Sequence, residues 1–129
     1  MLKIDPIIAV KDVQISASWY EQLFDLKNSH GGDNFAVLVD ENNLAILCLH
    51  KWGEHNHPTM MTPDNAVGNG LILYFKTDAL MKIRDTAKSL ALELVEDIHL
   101  NTNSLKHEFS LRDPDGYYLT ITEHHNYED

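Results

Sequence analysis

Cysteine is nearly absent: Cys48 is the single one in 129 residues. No disulfide can form within the chain, and the lone thiol fits a reducing compartment. Basic residues are also scarce, with 10 Lys and Arg against 20 Asp and Glu, a net charge of −10 and a pI near 5.1. No Lys/Arg cluster stands out, so neither nucleic acid nor an anionic membrane surface is an expected partner. Long apolar runs are missing too. The run from Ile7 to Val10 is short and lies between Asp5 and Lys11, which suits neither a signal peptide nor a membrane span. A cytoplasmic protein is expected. What is present is ordinary for a folded domain: 43% hydrophobic and 23% charged residues, on a length that suits one domain or two small modules sharing a core.

The clearest local signal lies near the end. Phe109 and Leu111 precede Asp113-Pro114-Asp115-Gly116, and Leu119 and Ile121 follow it. Alternate apolar residues on both sides have strand spacing. Pro114 presets φ for a tight turn, Gly116 can take positive φ, and the two Asp side chains can accept local N–H bonds. A β-hairpin with a short polar tip is expected.

Taken in order, the chain begins with a strand that puts Ile4, Ile8 and Val10 on one face and Ile7 and Ala9 on the other, with Pro6 near its start. After Asp12, a helix is expected from about Gln14 to Asp25, with Ile15, Trp19 and Leu23, joined by Tyr20 and Phe24, as its apolar stripe. A polar loop with Gly31-Gly32 leads to a strand over Phe35–Val39. A turn at Glu41–Asn43 and a strand over Leu44–Leu49 complete the first half. Both strands are apolar on both faces, so cover is expected on each side: a helix layer on one, a cavity or a partner chain on the other. Residues 52–69 have no sustained periodicity and read as a long loop, with Trp52, Met60 and Met61 able to cap a pocket or pack in an interface. The second half repeats the plan. A strand over Leu71–Phe75 is followed by Thr77 as N-cap with Asp78 in the first turn of a helix to about Leu90. Leu80, Ile83, Ala87, Leu90 and Ala91 form its buried stripe. A strand starting at Leu92–Val95, a turn at Asn101–Ser104 and the final hairpin follow.

Together, the hairpin from Arg112 to Ile121 and the two strand-to-helix starts resemble the vicinal oxygen chelate superfamily, which includes glyoxalase I, extradiol dioxygenases and bleomycin-resistance proteins. The resemblance covers nearly the whole chain. It implies an α+β fold of two βαβββ modules forming a curved mixed sheet with helices on the outer face. Module one would be residues 1–51, the connecting loop 52–69 and module two 70–129. It also implies a homodimer.

Metal-binding members of that superfamily place His, Glu or Gln at four strand positions. Carried onto this chain, those positions fall at Asp5, among Leu47, Cys48 and Leu49, at Ile72 or Leu71, and at Thr120. Most of these residues cannot ligate a divalent ion. His50, His55 and His57 lie close in sequence, His107 could join His50 and Cys48 on an inward face, and His124-His125 form a tail pair, but no spacing matches a zinc signature. No cofactor is therefore expected, and a divalent metal is the alternative that these ligand positions do not support.

If Asp5 and Thr120 face inward, then Ile7, Ala9, Tyr74, Tyr118 and Thr122 share that direction. With Trp52 from the loop, Asp5, Ile7, Tyr74, Tyr118 and Thr120 are the expected ligand-binding residues. They would give an apolar, aromatic lining with a few polar groups, suited to an amphipathic small molecule. The leading expectation is a metal-free small-molecule binding protein nearer the bleomycin-resistance branch, with the acidic field favouring a cation. A glyoxalase-like lyase or dioxygenase with non-standard ligands is the second, leaving open whether the chain is an enzyme. A dimerising module with no ligand of its own is the third.

Overall fold

The structure is a computed structural model that describes residues 1–62 and 67–124. The chain divides into two compact units, Met1–Val67 and a second that begins at Gly68. Of the expected connecting loop, residues 52–62 and Val67 belong to the first unit and residues 68–69 to the second; residues 63–66, and His125 of the expected tail pair, lie outside the described residues.

The first unit runs β1 (Ile7–Val10), α1 (Val13–Phe24), β2 (Lys27–Asn28), β3 (Phe35–Val39) and β4 (Ala45–Lys51). Its four-stranded sheet has the order β1-β4-β3-β2. The β1–β4 pair is parallel and the others antiparallel, so α1 is the crossover that a parallel pair requires. Asp12 starts α1: its backbone is extended and its carboxylate accepts the Ile15 N–H at 3.0 Å, satisfying an otherwise orphan donor. Asp25, at φ 57°, ends the helix in the left-handed conformation.

The buried face of α1 differs from the expected stripe. Val13, Ser16, Ala17, Tyr20 and Leu23 are buried, while Ile15 is 62% exposed and Trp19 only half-buried against the edge of Tyr20. Val13, Ala17 and Tyr20 recur at helical spacing on the buried face, and Ile15, two residues and so about 200° from both Val13 and Ala17, points outward. Tyr20, Ala36, Leu38 and Leu49 have no exposed surface. Burying a Leu-sized side chain stabilises by about 1.5–3 kcal/mol, so this layer is the unit's core. Ile4 was expected in β1 but precedes it and is 88% exposed. Leu44 likewise falls in the turn, exposed, before β4 begins.

The second unit runs β5 (Leu73–Thr77), α2 (Leu80–Ser89), β6 (Leu94–Asn101), β7 (Lys106–Arg112) and β8 (Tyr118–Glu123). Its sheet has the order β5-β8-β7-β6, with β5 and β8 parallel. Each unit thus has the expected βαβββ plan with its own mixed sheet. Leu73, Phe109, Leu111, Leu119 and Ile121 are buried together on the face that Phe75 shares.

Three local expectations shift here. Leu71 and Ile72 are exposed and precede β5. Thr77 is not the helix cap; it ends β5, paired with Glu123, and its hydroxyl accepts the Ala79 N–H at 2.9 Å, so α2 begins at Leu80 and Asp78 lies before it. Leu90 and Ala91 leave the buried stripe, because Ala91 adopts φ 57° and the N–H groups of Ala91 and Leu92 bond the Lys88 and Ala87 carbonyls, a paired C-terminal cap.

The final hairpin forms as expected. Asp113 is buried, and its Oδ1 accepts N–H bonds from Asp115 and Tyr117, both at 2.9 Å. Gly116 sits at φ 93° and donates to the Asp113 carbonyl, while Arg112 binds the Gly116 carbonyl at 2.7 Å. Gly68 is held differently: at φ +70° it leaves no room for a Cβ, which would meet the Tyr117 ring at 2.8 Å.

Candidate functional site

Side chains alternate across a sheet, so the faces follow from the register. In the first unit Ile7 pairs with Cys48, Ala9 with His50, Phe35 with His50 and Val37 with Cys48. These residues share the face opposite Leu38, Leu47 and Leu49, which are buried towards α1. Beyond β4 the chain turns back. Gly53 N–H donates to the Met60 carbonyl at 2.6 Å, and a single 3-10 turn, Pro58–Met60, forms in what was expected to be irregular loop.

Between this loop and the sheet lies a cavity of about 740 Å³, within the range of small-molecule sites. Ile7, Phe35, Pro58 and Met60 supply apolar walls, the 30–34 loop forms one side, and His50, His55 and His57 face in. His30 also lines it, held by a bond from its Nδ1 to the Phe35 carbonyl at 3.2 Å. His50 is 3% exposed. Its Nδ1 is 2.8 Å from the Lys51 carbonyl, which can only accept, so Nδ1 carries the proton and Nε2 is the lone-pair nitrogen. That nitrogen lies 3.2 Å from His55 Nδ1. One nitrogen from each of His50, His55 and His57 lies within 4.8 Å of the others.

What brings the loop histidines back is backbone conformation. His55 and Asn56 are consecutive non-glycine residues at positive φ, 60° and 54°, a sparsely populated arrangement that surrounding contacts must hold. Sequence reasoning noted these histidines but did not assemble them. The available signal was density, three imidazoles between positions 50 and 57; the left-handed pair that makes them converge has no reliable residue signature.

The expected ligand residues divide between the units. Ile7 lines the first-unit cavity; Trp52 is half-buried in the same unit, its backbone N–H donating to the Val10 carbonyl, but is not among the lining residues. Asp5 is exposed just before β1, and its charge reaches Cys48. Burial first, and then Asp5, push the Cys48 thiol above its ordinary value, so it stays protonated and is a poor nucleophile or ligand.

In the second unit Tyr74 and Thr120 are register partners, and Tyr118 lies under the Arg112 guanidinium at 5.4 Å from its ring centre. Thr120 is buried and its hydroxyl bonds Ser110 at 2.9 Å. A separate cavity of about 620 Å³ in this unit is lined by residues of α2, Lys106, His107 and Glu123. Two bonds from His107, backbone first, hold the Glu123 carboxyl below its usual range.

The superfamily's metal set does not fit this chain. Asp5 offers a carboxylate, but Leu71 and Ile72 offer no donor, Leu47 and Leu49 are core, Cys48 is a neutral thiol, and the Thr120 hydroxyl is already paired. Divalent ions with oxygen and imidazole preferences are not held by such a set.

No curated protein matches the chain in sequence. Among solved structures it is similar to an integron cassette protein from the mobile metagenome of V. cholerae, at 21% identity and TM-score 0.70 over 97% of this chain and 99% of that one. It is also similar to a lactoylglutathione lyase from Agrobacterium tumefaciens, at 17% identity and TM-score 0.72 over 95% and 92%. A glyoxalase/bleomycin resistance protein/dioxygenase family enzyme from Burkholderia phytofirmans shares 17% identity at TM-score 0.73 over 91% and 94%. At these identities the likeness is one of fold. The family model of the Glyoxalase/Bleomycin resistance protein/Dioxygenase superfamily matches residues 3–121, and with the paired βαβββ units in place, this chain belongs to that superfamily.

Proposed function

We propose that this protein binds an amphipathic small molecule in the first-unit cavity, without the superfamily's metal. The observation that carries this is the cavity's composition: Ile7, Phe35 and Met60 supply apolar area, and the imidazoles of His50, His55 and His57 supply a few convergent polar groups. Such a lining orients a flat ligand by ring contact and one or two hydrogen bonds. The Burkholderia protein is called an enzyme and the Agrobacterium one a lyase; here the missing ligand set argues for binding rather than that chemistry. A reducing, cytoplasmic setting agrees with the single buried Cys48. A homodimer belongs to the same proposal, and a monodisperse monomer by light scattering at micromolar concentration removes it.

The test uses 8-anilinonaphthalene-1-sulfonate, an amphipathic aromatic probe, with the folded full-length protein. Saturable binding is expected, weakened at least tenfold in Ile7→Trp, which fills the cavity from a half-exposed position. Absence of saturable binding, or unchanged affinity in a folded Ile7→Trp, contradicts the proposal.

A further inference from the structure

We infer that His50, His55 and His57 form a binding site for a divalent ion of the zinc class, separate from the superfamily's metal positions. Three neutral imidazoles are a sufficient protein ligand set for such an ion, leaving one coordination position for water or a ligand heteroatom. Zn–N bonds of about 2.0–2.1 Å in a tetrahedron set neighbouring ligand nitrogens about 3.3 Å apart. His50 Nε2 and His55 Nδ1 are 3.2 Å apart, and all three donor atoms lie within 4.8 Å of one another. Rings bound through nitrogen to one ion would have centres about 5 Å apart. The His50–His55 and His50–His57 centres are 5.2 and 5.1 Å apart, with His55–His57 at 6.3 Å. A shift of the exposed His57 ring closes the remaining gap.

The surroundings match a ligating histidine. His50 is buried on a strand and gives its Nδ1 proton to the Lys51 carbonyl. This is the outer contact that fixes the tautomer and orientation of a metal-bound imidazole. Without an ion, His55 Nδ1–H donates to His50 Nε2; on binding, the His55 ring changes tautomer, giving up the Nδ1 proton to solvent and taking one up at Nε2, so that both facing nitrogens turn their lone pairs to the metal and each ring stays neutral. The consecutive left-handed residues His55 and Asn56 hold His55 and His57 over His50. The donor set is all nitrogen, which favours zinc and its late first-row neighbours over magnesium or calcium. The site shares the cavity described above but does not depend on small-molecule binding there; failure of the dye test leaves it standing, and its own failure leaves the dye test untouched.

The experiment is calorimetric titration of Zn²⁺ into untagged, chelator-treated full-length protein, alongside Co²⁺ absorption spectra, for wild type, His55→Ala and His57→Ala. Both substituted residues are exposed, and circular dichroism checks that each variant is folded. One ion per chain is expected, with affinity at least tenfold weaker in each variant and loss of the tetrahedral cobalt bands. His99 beside Glu96 and Glu108, or His107 beside Glu123, could instead draw the ion. Stoichiometric binding that survives both substitutions, or no stoichiometric binding by the wild type, overturns the inference.

Discussion

The two units solve the same construction problem and then treat their second sheet face differently. In each, a parallel strand pair is bridged by a helix, and the face towards the helix is filled with aliphatic and aromatic side chains. On the other face, β4 of the first unit presents Cys48 and His50 where β8 of the second presents Thr120 and Thr122, each strand lying parallel to the unit's first strand. The second unit's polar groups are matched locally: Thr120 bonds Ser110, Thr122 donates to the His107 carbonyl, and Glu108 accepts from Asn101. The first unit's imidazoles instead converge on a cavity. The same scaffold thus pairs the polar groups of this face across the sheet in one copy and turns them towards a cavity in the other.

The strongest way to break this comparison is through the shared layer. Leu49→Ala in the first unit and Ile121→Ala in the second each remove a side chain with no exposed surface. Each is expected to cost about 2–5 kcal/mol by chemical denaturation. A large cost in one unit with almost none in the other would show that the units are not energetically alike.

A smaller effect sharpens the contrast on the other face. Thr120→Val removes one hydroxyl and leaves Ser110 without its 2.9 Å partner, at an expected cost of about 1 kcal/mol. No change in denaturation midpoint would mean that this pair does not matter to the second unit.

The smallest effect is electrostatic and at the surface. The Arg84 hydrogen bond, followed by the Ile98 N–H, lowers the Asp97 carboxyl from 3.8 to about 2. A depressed carboxylate stabilises the folded state above its unfolded value and loses that contribution as pH falls towards the folded one. Wild type should therefore lose its small advantage over Asp97→Asn between about pH 4 and pH 2. Because the Asp97 carboxylate is about half exposed, salt should shrink the difference. A gap between the two proteins that is constant across this pH range contradicts the assignment.

Much of the architecture was legible because it rests on periodicity and turn chemistry. The Asp113-Pro114-Asp115-Gly116 turn fixed the last hairpin, and Phe35–Val39 was read to its residue limits. Errors clustered where one residue of phase matters. On α1 the stripe drawn through the large residues Ile15 and Trp19 lies beside the face that Val13, Ser16, Ala17 and Tyr20 bury, and Thr77 has the residue type of a helix cap although β8 holds it in a strand. The site was less legible. Alternation along β1 points to Ile7, which lines the cavity, but Phe35 and His30 enter through the register of β3 and a loop bond. The three histidines come together through two left-handed residues that no spacing rule anticipates.

The most direct measurement of the contrast between the units is an amide NMR titration of isotopically labelled protein with 8-anilinonaphthalene-1-sulfonate. Shifts centred on Ile7, Phe35, His50, His55 and Met60, with Tyr74, Tyr118 and Thr120 still, are the expected result. Shifts centred on Tyr74, Tyr118 and Thr120 instead would place the ligand face in the second unit and contradict the assignment of the site to the first.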